Sequence, residues 1–147
     1  MRYTLCADAA AVEAAAADLD LVDAGLDAHN HAAAPLQEVQ PLAVLVYGGD
    51  DLDARPLGGA RGRIWGRCAE LQLLWVDPAW RRRGLGAELV QRFEAGAAAC
   101  GVELVYLETF SFQAPKLYAA LGYTVAAQVE GFSPGVVKYW MQHRLKG

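Results

Sequence analysis

The sequence predicts one α/β domain built on a mixed sheet, and three observations carry that prediction. Stretches 41–47, 57–69 and 70–76 are β-rich runs separated by glycine-containing turns, the pattern of an antiparallel meander. Stretch 102–110 is a nearly continuous apolar run, as expected of a strand at the centre of a sheet. Between the two lies a helical segment, 87–99, in a run where Leu85, Leu89, Phe93 and Ala97 recur every four residues. Strand, helix, strand implies a right-handed parallel crossover, so the sheet must be mixed.

The other elements follow in order. Residues 2–6 alternate weakly and read as a first strand. From 7 to 34 the chain is rich in alanine, the strongest helix former, and Leu19, Val22 and Leu26 fall on one helical face; one or two helices are expected, with Gly25 interrupting or allowing close packing. Pro35 and Pro41 bound a loop, and Gly48-Gly49-Asp50-Asp51 is a turn. Gly101 stands where a helix C-cap glycine belongs. A short helix is expected over 113–121, with Pro115 in its first turn and Gly122 at its stop. Two strands, 123–129 and 136–145, close the chain around Gly131-Phe132-Ser133-Pro134-Gly135.

Composition narrows the function classes. At 147 residues the chain is one domain, 1–147, able to bury a sizeable core. It has no run of eighteen apolar residues and no basic-then-apolar N-terminus, so neither a membrane span nor a signal peptide is expected. Cys6, Cys68 and Cys100 lack CxxC spacing, which suggests neither a disulfide framework nor a metal site and fits a reduced cytoplasm. Residues 1–53 carry ten acids and one base, residues 54–147 seven acids and twelve bases, so a net charge of −4 divides into about −9 and +5. An acidic third beside a basic remainder suits a cationic substrate, and it equally suits a surface that only aids solubility. The basic residues are too dispersed to suggest nucleic acid.

The chain is organised around 71–89, LQLLWVDPAWRRRGLGAEL. Asp77-Pro78 ends the strand, because proline cannot donate to a ladder and restricts the residue before it. Three arginines and Gly84-Leu85-Gly86 then lead into the helix. Strand, glycine turn and helix start together point free backbone N–H groups at an anion, and glycine lets the backbone approach closely. A dinucleotide fingerprint is excluded because Leu89 stands where a third small residue is needed, and a Walker loop because Gly-Lys-Ser/Thr is absent. What is present is Arg81-x-x-Gly84-x-Gly86 after Leu74-x-Val76. Alone, the segment also fits an ordinary loop with solvated arginines.

This signature resembles the pyrophosphate-binding turn of the GNAT superfamily, the acyl-CoA-dependent N-acyltransferases, and the order of elements over 42–145 is similar to that fold. Ala114-x-x-x-Tyr118-x-x-x-Gly122-Tyr123 resembles the family's short helix with its tyrosine. Phe132-Ser133-Pro134-Gly135 with Tyr139-Trp140, together with 108–114, resembles a subgroup of small bacterial members with unassigned acceptors. The resemblance implies a GNAT-like, mostly antiparallel mixed sheet of six or seven strands, about four helices, and a central parallel pair splayed around CoA. It implies that the backbone of Leu74 and Val76 holds pantetheine, that the N–H of Val76 serves the oxyanion, and that N–H groups of Arg82, Arg83, Gly84, Leu85, Gly86 and Ala87 surround the pyrophosphate. Guanidinium groups, Arg81 included, would add charge-assisted contacts. Ser111 stands where many relatives carry a pantetheine-contacting asparagine.

Tyr118 matches the family's general acid, which protonates the departing thiolate. Unperturbed tyrosine and thiol differ by ~1.5 pKa units, which makes that transfer uphill by roughly 2 kcal/mol; nearness to the short helix's N-terminus is expected to narrow the gap. Glu70 opens a strand where relatives often carry a base, and in a regular strand its side chain shares a face with Gln72 and Leu74; it is equally a solvated strand-end carboxylate. Asn30 and His31, beside His29, are candidates for the acceptor pocket, as is Trp65, and all of these have ordinary surface or core alternatives. No metal is expected. The implied function is cytoplasmic N-acetylation, by direct transfer from acetyl-CoA, of a small-molecule or exposed peptide amine, with a homodimer suggested by the aromatic-rich C-terminal strands; the rival is an acyl-CoA-binding regulatory module without turnover.

Overall fold

A computed structural model describes residues 1–33, 38–49 and 55–145. The loop at Pro35 and the Asp50-Asp51 half of the expected turn lie outside the described residues. The chain divides into two compact units, Met1–Glu38 and Val39–Gly147. The first holds α1 (Ala9–Ala14) and α2 (Ala16–Ala33). Asp8 caps α1, its Oδ1 accepting from the Ala11 N–H at 2.8 Å. Ala15 breaks the two helices apart, and α2 runs through Gly25 without interruption. Residues 2–6 form no strand. Their weak alternation is without a described partner strand, and a strand needs one to satisfy its backbone.

The second unit is a six-stranded mixed sheet in the order β1-β2-β3-β4-β6-β5. Its strands are β1 (Val39–Val46), β2 (Gly58–Trp65), β3 (Cys68–Val76), β4 (Leu104–Phe110), β5 (Thr124–Glu130) and β6 (Val137–Arg144). The helix α3 (Leu85–Ala99) crosses over between β3 and β4, the one parallel pair among the described strands. A short α4 (Pro115–Ala120) follows β4. The crossover begins and ends on glycine. Gly84 is the N-cap of α3 at φ 81°, and Gly101 follows its C-cap at φ 84°. There the Val102 N–H returns to the Ala97 carbonyl at 3.1 Å and the Gly101 N–H to Ala98 at 2.9 Å, a Schellman closure.

The core lies between α3 and the sheet. Leu89, Val90, Phe93 and Ala97 are buried against Ala60, Ile64, Ala69, Leu71, Val105 and Leu107. Leu85, expected on the same face, is instead half-buried at the mouth of a cleft. The glycine-rich stretch that reads weakly as a strand is one because α3 presses on it. A Cβ on Gly62 would collide with the Glu70 carbonyl and come within 2.9 Å of the Phe93 ring. No helix among the described residues is long and apolar enough to cross a membrane.

Candidate active site

The site begins with a missing partnership. β3 and β4 pair from Cys68↔Leu104 to Leu71↔Leu107 and then part, although β3 continues to Val76 and β4 to Phe110. A β-bulge marks the point of parting. Arg61 faces Leu73 and Gly62 faces Leu71, so Gln72 is an extra residue on β3. The bulge corrects the face expected for Glu70. Ala69 and Leu71 oppose Ile64 and Gly62, while Leu74 and Val76 oppose Ala60 and Gly58, which puts all four on the helix-covered face. Glu70, Leu73 and Trp75 oppose Arg63, Arg61 and Gly59 on the other face.

The Asp77 N–H donates to the Leu57 carbonyl at 2.8 Å, so the backbone of Asp77 faces the β2 side. Alternation along the antiparallel ladder then turns the backbone groups of Leu74 and Val76 away from β2, toward the gap left by β4. The Val76 carbonyl is taken by Arg81 Nε at 3.0 Å. The gap is a cleft of ≈ 810 Å³, bordered by residues 71–76 of β3, Glu108 and Thr109 of β4, Tyr118 of α4 and the start of α3.

The anion end is built by the turn between β3 and α3. Asp77 Oδ1 accepts from the Ala79 N–H at 2.8 Å and starts the short helix Pro78–Trp80. Arg82 (φ 59°) and Gly84 both adopt left-handed backbone, which turns the chain sharply into α3. No side chain among the described residues caps α3, and the Glu88 N–H is the first to bond within it, to the Gly84 carbonyl. The N–H groups of Leu85, Gly86 and Ala87 therefore lack helical partners and face the cleft's end. Arg81, Arg82, Gly84, Leu85, Gly86 and Ala87 all border the cleft; the Arg83 guanidinium lies 4.7 Å over the Trp80 ring instead. Unpaired strand backbone, free helix N–H groups and two guanidinium groups along one groove fit a pantetheine arm ending in a pyrophosphate.

Tyr118 borders the cleft from the helix-covered face, 7% exposed, with the Tyr123 ring 5.7 Å behind it. Burial pushes its hydroxyl up to about 12. That reverses the shift expected from the N-terminus of α4, because a six-residue helix has little dipole to offset the desolvation. Glu70 does not border the cleft; its Oε2 accepts from Arg63 Nε at 2.8 Å. Ser111 is likewise elsewhere: its hydroxyl accepts from the Val137 N–H at 3.1 Å, and its own N–H donates to the Val137 carbonyl at 2.8 Å. Trp65 ends β2 with its indole nitrogen buried and without a hydrogen-bond partner among the described residues, away from the cleft lining. Asn30 and His31 belong to α2 in the first unit.

Two cleft residues fall in the 108–114 segment of the resemblance but receive no role in the sequence reading. Gln113 Oε1 accepts from the Phe110 N–H at 2.8 Å and receives the buried Thr109 hydroxyl at 3.4 Å, closing off the end of β4. Glu108 is the one carboxylate among the described residues bordering the cleft, and its Oε2 pairs with Lys138 Nζ at 2.6 Å. Neither belongs to a spaced motif; period-two alternation along 104–110 was the available signal for Glu108. Among the described residues no cluster of His, Cys, Asp and Glu could hold a metal ion.

Comparison with known proteins agrees with this geometry. Residues 24–123 match the model of the acetyltransferase (GNAT) family. Over 112 residues, 76% of this chain and 82% of the relative, the chain is 33% identical to blasticidin-S acetyltransferase from Streptomyces morookaense. An acetyltransferase structure from Bacillus cereus superposes with a TM-score of 0.79 at 23% identity, covering 99% of both chains. YncA from Salmonella typhimurium, solved with its cofactor acetyl-CoA, superposes over 66% of this chain and 62% of its own at a TM-score of 0.54 and 26% identity. A mixed sheet that parts around a cleft, a helix start aimed at its anion end and these likenesses lead to one conclusion: the chain belongs to the GNAT family of acetyl-CoA-dependent acetyltransferases.

Proposed function

We propose that the protein acetylates a primary amine of a small molecule by direct transfer within the cleft. The observation that carries this reading is Tyr118, a buried, protonated hydroxyl at the border of the groove where β3 and β4 part. A protein that only bound an acyl-CoA would need no proton there. The similarity to blasticidin-S acetyltransferase supports a small-molecule acceptor.

Acetyl-CoA supplies an activated thioester. The chain's residues do the rest. Leu74 and Val76 offer strand-like hydrogen bonds to the pantetheine arm, and the Val76 N–H is directed to where an oxyanion would form. Leu85, Gly86 and Ala87, with Arg81 and Arg82, hold the pyrophosphate. Tyr118 keeps its proton through the neutral range and delivers it to the sulfur as the carbon–sulfur bond breaks. Glu70, tied to Arg63 on the far face of the sheet, would reach the amine through water.

The acidic first third of the chain supports a cationic acceptor. The test follows free thiol while the protein meets acetyl-CoA and a panel of amines matched in pKa, at low and high salt. Cationic amines should release CoA thiol, with kcat/KM severalfold lower at high salt as screening sets in. No thiol from any amine, with CoA bound, would leave a binding module. A preference for anionic amines, or no salt effect, would reduce the acidic third to a solvated surface.

A further inference from the structure

One rim of the cleft carries chemistry that acetyl transfer itself does not require. Glu108 is the first residue of β4 beyond its pairing with β3, and Phe110 lies two residues on, on the same strand face. Phe112 stacks on Phe110, with centroids 5.2 Å apart and planes within 8°. Phe132, in the turn between β5 and β6, meets Phe110 edge-on at 5.1 Å. Lys138 joins the group, bound to Glu108 and 5.5 Å from the Phe110 ring. The turn is fastened in place: the two hydrogen bonds exchanged by Ser111 and Val137 tie the strand after Phe132 to the segment that carries Phe110 and Phe112.

Core packing does not explain these rings. Phe112 is 70% exposed and Phe132 53%, and neither belongs to the buried cluster. Phe112 stacks on Phe110, remains 70% exposed and borders the cleft, whereas Phe132 packs on Phe110 from the β5–β6 turn, outside the cleft lining. An exposed aromatic ring beside a carboxylate on the border of one cleft suits a flat ring joined to a cation.

We infer that this rim selects the acceptor: it takes an amine bearing an aromatic or heteroaromatic group, which stacks on Phe112 while the cationic end meets Glu108. Lys138 already pairs with that carboxylate, so the ring is needed alongside the charge. This inference rests on the cleft being a site of amine acetylation, and its test separates the two.

Binding to the CoA-loaded protein is measured by calorimetry, apart from turnover, with phenethylamine, propylamine and phenylethanol as probes. Phenethylamine should bind at least tenfold tighter than either of the others. Phe112→Ala should bring its advantage over propylamine within threefold without weakening CoA; Phe112→Leu, which keeps the bulk and loses the ring, serves if the alanine variant is poorly folded. Glu108→Gln should remove the advantage over phenylethanol. Equal binding of phenethylamine and propylamine overturns the inference, as does an aryl preference that survives both Phe112 variants. So does a loss of CoA affinity in Phe112→Ala equal to its loss of phenethylamine, which would assign the rim to the cofactor. Selective binding with no thiol release would sink the reaction and leave the rim standing. Thiol release with equal rates for aryl and alkyl amines would do the reverse.

Discussion

Between Cys68 and Leu71, β3 lies hydrogen-bonded beside β4; between Gln72 and Val76 the same strand lies beside open space. The closed stretch carries Ala69 and Leu71, both buried under α3, and behaves as core. The open stretch carries Leu73 and Trp75, each nearly half exposed, and borders a cleft. One strand serves both ends because a single extra residue, Gln72, shifts its register at the boundary. Stability and chemistry are thereby placed on adjacent lengths of one element, and each can be altered with little effect on the other.

The largest effect should come from the closed side. Phe93 is fully buried and sits against Gly62, so Phe93→Ala removes a ring and leaves a cavity. It should cost about 3–5 kcal/mol in urea unfolding; a loss under about 1 kcal/mol would mean that α3 does not hold the closed half. At the boundary, Tyr118→Phe should lower kcat by about 10²-fold with CoA affinity unchanged. Full turnover in that variant, where chemistry limits the rate, would make Tyr118 a packing residue.

The same hydroxyl should be visible in stability. Folding raises its pKa from 10.0 to about 12, so the native state binds the proton more tightly than the unfolded chain. Its contribution is complete below pH 10 and is lost as pH rises through 12, amounting to at most about 3 kcal/mol. Tyr118→Phe should therefore show a smaller fall in urea midpoint between pH 8 and 11 than the parent. Identical falls would argue against a buried hydroxyl. The parent's own fall also contains Tyr123, whose pKa burial raises in the same direction.

On the open side, Gly86→Val is the clean probe of the anion turn. A Cβ there would meet just the Leu117 methyl at 3.4 Å, whereas at Gly84 any side chain would be strained by the left-handed backbone. Its methyl groups should obstruct the pyrophosphate and weaken CoA at least tenfold, about 1.4 kcal/mol. Unchanged affinity in a folded variant would place the cofactor elsewhere.

The parts legible in the sequence were those with local causes. Apolar runs, the four-residue helical period and the glycines at 84 and 101 mark the crossover, and the Arg81-to-Gly86 spacing marks the anion turn. What escaped was set by neighbours distant in the chain. Glycine-rich β2 looks weak until α3 is laid on it, and the face of Leu74 cannot be read without the bulge that Gly62 and Gln72 share across two strands. Ser111 stands where the family resemblance puts a ligand contact, yet its hydroxyl is engaged by a backbone 26 residues away. Arg2 to Cys6 shows the converse failure, alternation without a partner strand.

The short length over which β3 and β4 pair has a consequence for how the sheet assembles. β1, β2 and β3 form one leaf from consecutive strands, with α3 packed on it, and β4, β6 and β5 form a second. Within the sheet, four residue pairs join the leaves among the described strands. Each leaf can fold from nearby chain, but joining them closes a loop across the crossover and belongs to the slower, long-range part of folding. A ligand lying in the gap touches both leaves, so it acts as a clasp on the join. Amide exchange at Val105 and Leu107 would then report separation of the leaves, and CoA should slow it well beyond its effect on β1 and β2.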